Sequence, residues 1–217
     1  MLGIVDRVLD WVLPPRCMAC AELLSIDYAL RMCALCYEEL IPCTENHGQS
    51  YSAYIYDGVA RTALHRFKYG PNPHFGSQLG LMMAWRIDSL GIMEDFGVEA
   101  VVPVPLHADK RRERGFNQAQ LLAEEVAANI AVPMLPLALV RTKKTQPQAN
   151  LRLSERQDNI RGAFLAGPQI REVHGKTILL MDDIHTTGTT LWGCADTLMA
   201  EGAACVLTYT FARAELE

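Results

Sequence analysis

Asp182 and Asp183 stand side by side after the apolar run 178–181, and a loop of small hydroxyl residues and one glycine follows: Thr186, Thr187, Gly188, Thr189 and Thr190. In open parallel sheets, ligands bind beyond the carboxyl ends of the strands. A strand over 177–181 would put this loop at such an edge. A helix starting near Thr189 would present free N–H groups and a partial positive charge, which suit a phosphate. Gly188 allows the backbone a close approach to that anion, and the threonines add hydroxyl donors. The loop is not a Walker loop, because its G-K-[ST] element is missing. Two carboxylates repel a phosphate, so they must face another part of the ligand. Ribose hydroxyls can donate to them, and a Mg2+ bridging hydroxyl and pyrophosphate oxygens would suit them too. The pattern therefore points to a sugar phosphate.

A second cluster lies near the amino terminus. Cys17, Cys20, Cys33 and Cys36 have the spacing C-x2-C-x12-C-x2-C. Each pair can sit on one tight turn and offer two thiolates, and two such turns complete the tetrahedral set that zinc accepts. Four thiolates leave no open position, so the expectation is one structural zinc. Cys43 follows without a C-x2-C partner, His47 reads as a surface residue, and Cys194 and Cys205 read as core thiols.

The third group is cationic. Lys110, Arg111, Arg112 and Arg114 follow a strand over 100–104, in what reads as a turn that Gly115 ends. Facing the phosphate loop, they can hold pyrophosphate. Lys68, in FKYG, is a further phosphate-pocket candidate. Segment 141–161 adds Arg141, Lys143, Lys144, Arg152, Arg156 and Arg161.

These groups need a frame. The expected strands are 51–56, 100–106 and 205–211 besides 177–181, with an extended segment at 134–141. The expected helices cover 61–70, 76–90, 117–130 and 189–202, the last closed by Gly202. Alternating strand and helix predicts a parallel α/β sheet with helices on both faces. The polar stretch 44–50 reads as a linker, which divides the 217 residues into a cysteine module over 1–48 and a larger domain over 49–217. Residues 1–13 read as a short amphipathic helix, interrupted by charges and so not a signal peptide. No run reaches the length of a membrane span. A cytoplasmic protein with reduced thiols is expected. Net charge is −5, which gives no global reason to expect a polyanion partner. Residues 101–161, however, hold ten Lys/Arg against six Asp/Glu, a local +4.

ILLMDDIHTTGTT resembles the phosphoribosyl-pyrophosphate (PRPP) motif of type I phosphoribosyltransferases. The resemblance implies that Asp182 and Asp183 bind ribose hydroxyls, that Thr186, Thr187, Gly188, Thr189 and Thr190 bind the 5′-phosphate, and that Mg2+ is needed. Some members carry a carboxylate at the position of Thr186 for a purine base; threonine cannot take a proton near neutral pH, so purine salvage is not expected. PVPLH, RRERGFNQAQLLA, residues 146–164 and LHRFKYG, with the cysteine module, resemble the competence protein F family, which includes the GntX proteins. Many members have two cysteine knuckles, whereas only one is complete here. The resemblance implies a type I phosphoribosyltransferase domain with a hood over 141–161, and a zinc module in front of it. It also implies work on internalised single-stranded DNA in natural transformation, with a helicase-like partner. An enzyme releasing pyrophosphate from PRPP to an unknown acceptor, a PRPP-dependent DNA-binding module in which Phe116 serves among the basic residues, and a PRPP-sensing regulator all remain open. The sequence shows no catalytic base.

Overall fold

The computed structural model describes residues 14–25, 30–70, 72, 74–142 and 162–215. Its centre is a four-stranded, wholly parallel sheet. The strands are β1 (Ser50–Ile55), β2 (Ala100–Pro103), β5 (Thr177–His185) and β6 (Cys205–Arg213), in the spatial order β1-β6-β5-β2. A separate antiparallel pair, β3 (Leu139–Arg141) and β4 (Phe164–Ala166), stands beside it. β5 lies between β6 and β2, and its residues 178–181 are fully buried. The unbroken apolar run of β5 is what burial on both faces demands.

Two apolar layers cover the sheet. Leu179 and Met181 point into a layer shared with α2 (Gly58–Tyr69), α3 (Phe75–Ser89) and α6 (Gln118–Asn129). Ile178 and Leu180 point the other way, toward α7 (Thr189–Ala200) and the β3–β4 pair. The predicted fold class is therefore the observed one. Shorter helices are α1 (Ala34–Glu38), α4 (Ile92–Phe96) and α5 (Ala108–Arg114), with a 3₁₀ turn at Ile170–Val173.

Three expectations about local structure need correction. β5 extends four residues past Met181, so the acid pair lies inside the strand and not after it. The pairing of β5 with β6 continues through Asp182↔Thr210 to His185↔Arg213, and this ladder keeps the polar end extended. The basic stretch 108–114 is a helix and not a turn: His107 Nδ1 accepts from the Asp109 amide at its start, and Gly115 closes it at φ +83°. The extended segment 134–141 forms only the short β3, with Met134 making an isolated bridge to Val101. The expected amino-terminal helix over 1–13 and the segment 143–161 lie outside the described residues.

α3 and α6 pack closely because α3 has glycines one turn apart. A Cβ on Gly76 would lie 2.8 Å from Leu121 Cβ, and one on Gly80 would lie 2.7 Å from Glu125 Cβ and 3.0 Å from the Leu122 carbonyl oxygen. On an exposed helix, Gly→Ala gains about 1 kcal/mol. At Gly80 the overpacking should outweigh that gain. We expect Gly80→Ala to destabilise the fold by about 1–3 kcal/mol, read as a lower denaturant midpoint at unchanged slope.

Candidate functional site

The acid pair is held at the carboxyl edge of the sheet. Alternation along β5 sends the two side chains in different directions. Asp183 is 93 % buried and meets Lys68, whose Nζ lies 2.9 Å from Oδ2. Asp182 accepts the Asp183 amide N–H at 2.8 Å. Burial, then the Asp183 charge, push the Asp182 carboxyl up to about 7, against the pull of that amide, Lys68 and Arg141. Burial works to lower the Lys68 ammonium, but Asp183 and then Asp182 outweigh it and hold it above the ordinary lysine value. Arg141 Cζ stands 5.3 Å from the centre of the Phe164 ring, and burial lowers its guanidinium against the attraction of Cys194 and Asp182.

Beyond the acids the chain turns at Gly188, which has φ +72°. A Cβ there would meet His185 Nε2 at 2.9 Å, so glycine is required by both the backbone angle and the space. Thr187 and Thr189 hydroxyls share a 2.8 Å hydrogen bond. Asp182, Ile184, Thr186, Gly188, Thr189, Thr190 and Leu191 line a recess of about 150 Å³ at the start of α7. Acid, hydroxyl loop and helix end thus converge as the sequence predicts, while Thr187 is not among the lining residues.

On the other side of Lys68 lies a larger cavity, about 420 Å³, lined by Lys68, Tyr69, Gly70, Lys110, Glu113 and Arg114. Of the pyrophosphate candidates, Lys68 and Arg114 belong to it. Arg112 does not; it is exposed and pairs with Asp109 at 2.7 Å. Lys110 takes the place expected of Arg112. On a helix, positions 110 and 114 share a face and 112 turns away, a distinction lost when the stretch is read as a turn. Arg152 and Arg156 lie outside the described residues. Phe116, expected among the exposed basic residues, is packed against the core and stacks on Phe67 at 5.6 Å. Asn117 Nδ2 donates to the Val104 carbonyl at 3.1 Å. RGFNQ therefore fastens α5 to the end of β2 and to α2, which carries Lys68. The exposed aromatic here is Tyr69, with Arg114 Cζ 5.3 Å from its ring centre and His65 4.9 Å from it. Its signal was the i,i+4 spacing of His65 and Tyr69 on a helix with no acid in it.

The four predicted cysteines also converge, with all Sγ atoms within 4.8 Å of one another. Cys17 ends a short bridge between Arg16 and Leu23, and Cys33 caps α1, which carries Cys36. Amides of Ala19 and Cys33 each donate to Cys17 Sγ at 3.4 Å. Burial raises the Cys17 thiol, but these and the Cys20 amide more than offset it and bring it to about 7. Among the described residues no other Cys, His or acid joins the cluster; Cys43 instead donates to the Glu45 carbonyl. Met18 and Met32 bury the knuckle against the helical layer, and Arg66 ties the Cys17 carbonyl to α2 at 3.3 Å.

Residues 114–215 match the phosphoribosyl transferase domain family. Three curated relatives align over more of the chain. Competence protein F of Haemophilus influenzae is 33% identical over 54% of this chain and 51% of its own length. Competence protein ComFC of Bacillus subtilis is 30% identical over 76% and 64%. DNA utilization protein YhgH of Escherichia coli K12 is 29% identical over 69% and 65%. The aligned region thus spans about half to two thirds of these relatives' lengths. No helix among the described residues is long and apolar enough to cross a membrane. The sheet topology and these matches together give the chain a type I phosphoribosyltransferase domain with a four-cysteine cluster able to hold a metal ion, similar in sequence to competence protein F and ComFC.

Proposed function

We propose that this chain binds PRPP with Mg2+ at the edge of β5 and serves in the cytoplasmic handling of internalised single-stranded DNA. The observation that carries the ligand is the junction at Asp182, which lines a hydroxyl-bearing recess at a helix N-terminus while its neighbour Asp183 pairs with Lys68. The 5′-phosphate sits in the recess, on the amides of α7 and the threonine hydroxyls. Ribose hydroxyls donate to Asp182 and Asp183. The pyrophosphate extends into the Lys68–Lys110–Arg114 cavity, where three cations face one acid. The oxygen donors of the acid pair fit Mg2+, which when bound lowers the charge of the pyrophosphate as a leaving group.

If turnover occurs, the bond between ribose C1 and pyrophosphate breaks while C1 gains a bond to the acceptor, through an oxocarbenium-like state. Lys68, Lys110 and Arg114 stabilise the charge that develops on the leaving group. Thr186 is exposed and supplies no base, so an acceptor must bring its own nucleophile. The alternative is a phosphoribosyltransferase of nucleotide metabolism.

DNA handling draws support from the relatives' names and from charge placement. α2 carries Arg61, Arg66 and Lys68 without an acid, and α5 adds Lys110, Arg111, Arg112 and Arg114. Exposed Tyr69 stands between them as a stacking surface for a base. A helicase-like partner belongs to the same reading.

For the cysteine cluster we propose one structural zinc. Tetrahedral thiolates about 2.3 Å from zinc stand roughly 3.8 Å apart, and Cys20 and Cys33 Sγ are 3.7 Å apart. The amide donors to Cys17 favour a thiolate, the form that binds metal. We further propose that residues 1–48 form this module and 49–217 the ligand-binding domain.

PRPP with Mg2+ should raise the melting temperature by several degrees, and Asp182→Asn/Asp183→Asn should abolish the rise; an unresponsive wild type rejects the ligand. Pyrophosphate release that begins only when a single-stranded oligonucleotide or a free base is added assigns turnover and its acceptor. The raised Asp182 carboxyl sets a pH dependence. The unfolded chain releases this proton near 3.8 and the folded chain near 7, so this group withdraws stability as pH rises between those values. Asp182→Asn should therefore leave stability unchanged below about pH 4 and increase it by about 1–3 kcal/mol above pH 7, in urea titrations at both pH values. Metal analysis should find about one zinc per chain, with Cys36→Ser abolishing it and lowering the melting temperature. A metal-free wild type that melts at the same temperature with and without added zinc would refute the module.

A further inference from the structure

Lys68 belongs to two places at once. Its ammonium sits 2.9 Å from Asp183, and its side chain lines the 420 Å³ cavity with Lys110 and Arg114. The first position neutralises a buried carboxylate that would otherwise be left unpaired, which is costly. It also occupies the oxygen that a ribose hydroxyl or a divalent cation would need. The second position sets Lys68 beside two other cations and a single acid, Glu113. Like charges make that position unfavourable until an anion fills the cavity.

We propose that Lys68 is an exchange residue, which leaves Asp183 for the cavity only when an anion arrives there and so makes cation binding at the acid pair conditional on that anion. The inference rests on the proposed ligand site and deepens it. The consequence is discrimination. A ligand that brings phosphate at one end, hydroxyls at the other and an anionic group into the Lys110–Arg114 cavity releases Asp183. A sugar phosphate without the second anionic group does not, and meets a site whose buried acid is already paired. Free divalent cation is refused for the same reason, although two adjacent carboxylates would otherwise attract it. The coupling is reciprocal: a cation at the acid pair displaces Lys68 and thereby raises affinity for the anion.

Two independent features agree with an exchange. Lys68 is the penultimate residue of α2, where the backbone ends at Gly70, so the side chain reaches both positions from the end of an element. Phe67, its neighbour, is completely buried and stacked on Phe116, so the pivot of the side chain is fixed while its tip, paired with Asp183, borders the cavity.

The test is titration of the full chain with Mn2+, read by water-proton relaxation. Wild type should bind weakly in choline chloride and several-fold more tightly in potassium sulfate of equal ionic strength, after correction for Mn2+ held by sulfate. Lys68→Met should bind at least tenfold more tightly than wild type without sulfate and gain nothing from it. Adding Asp183→Asn to Lys68→Met should remove that gain, which assigns the site. Lys68→Arg keeps the charge and pairs with Asp183, so it should bind no better than wild type; it remains informative should Lys68→Met fail to fold. Equal Mn2+ affinity in wild type and Lys68→Met, indifference of wild type to sulfate, or a Lys68→Arg that binds as Lys68→Met is expected to, each overturns the exchange. PRPP stabilisation that persists with any of these results leaves the ligand assignment standing. Sulfate-gated Mn2+ binding without a response to PRPP supports the exchange and rejects the ligand.

Discussion

Two like charges on adjacent residues, one of them almost wholly buried, are the constraint around which this protein is organised. Asp182 and Asp183 follow the four residues 178–181 of β5, which are apolar and sealed on both faces. Such a pair is expensive to ionise. Lys68 from α2 carries one part of the compensation, and the Asp183 amide and Arg141 carry the rest. What remains uncompensated appears as the raised Asp182 carboxyl. A site built this way is least stable where it is most ready for a ligand that supplies hydroxyl donors or a cation, the usual tension between stability and function.

Everything that holds Lys68 in place therefore matters to the site. Its helix is anchored by Phe67 against Phe116, and Phe116 is fixed by Asn117 on the end of β2. α3 and α6 complete the layer above, brought together by the glycine pair at 76 and 80. The cysteine cluster joins this layer from outside, through buried Met18 and Met32 and through Arg66 on the Cys17 carbonyl. The cysteine cluster thus braces the same helix that carries Lys68.

Contiguous chemistry was legible in the sequence, and chemistry assembled from separate elements was not. The convergence at DDIHTTGTT was legible because strand, acids, loop and helix start follow one another in the chain. The two C-x2-C pairs are legible for the same reason, since each pair is one turn. Arg112 and Lys110 could not be told apart until the stretch proved to be a helix, because a face exists only once a period is known. Phe116 looked exposed among arginines, yet its neighbour in space is Phe67, 49 positions away. Lys68 was legible only as a cation in a helical stretch; its partner Asp183 is 115 positions away and no local pattern announces the pair. β5 ran longer than its apolar stretch because β6 offers a hydrogen-bonding partner through His185, a tertiary effect that hydrophobic patterning cannot register.

The same reasoning separates what the site holds from what it does. Recognition of a sugar phosphate needs only donors, acids and cations in fixed places, and the strand, the helix end and α2 provide them. Transfer needs in addition a group that takes a proton from the acceptor or an acceptor that needs none. Thr186 is not that group, and His185, whose imidazole is pushed down by burial and by Arg213 and His47, turns toward Gly188 and Trp192, where its ring supports the loop. In the proposed site, these two residues thus favour a nucleophile already competent as it arrives, or a ligand bound and not consumed. Under the proposed exchange, either outcome leaves the same demand on the fold: Asp183 is released from Lys68 before a ribose is held.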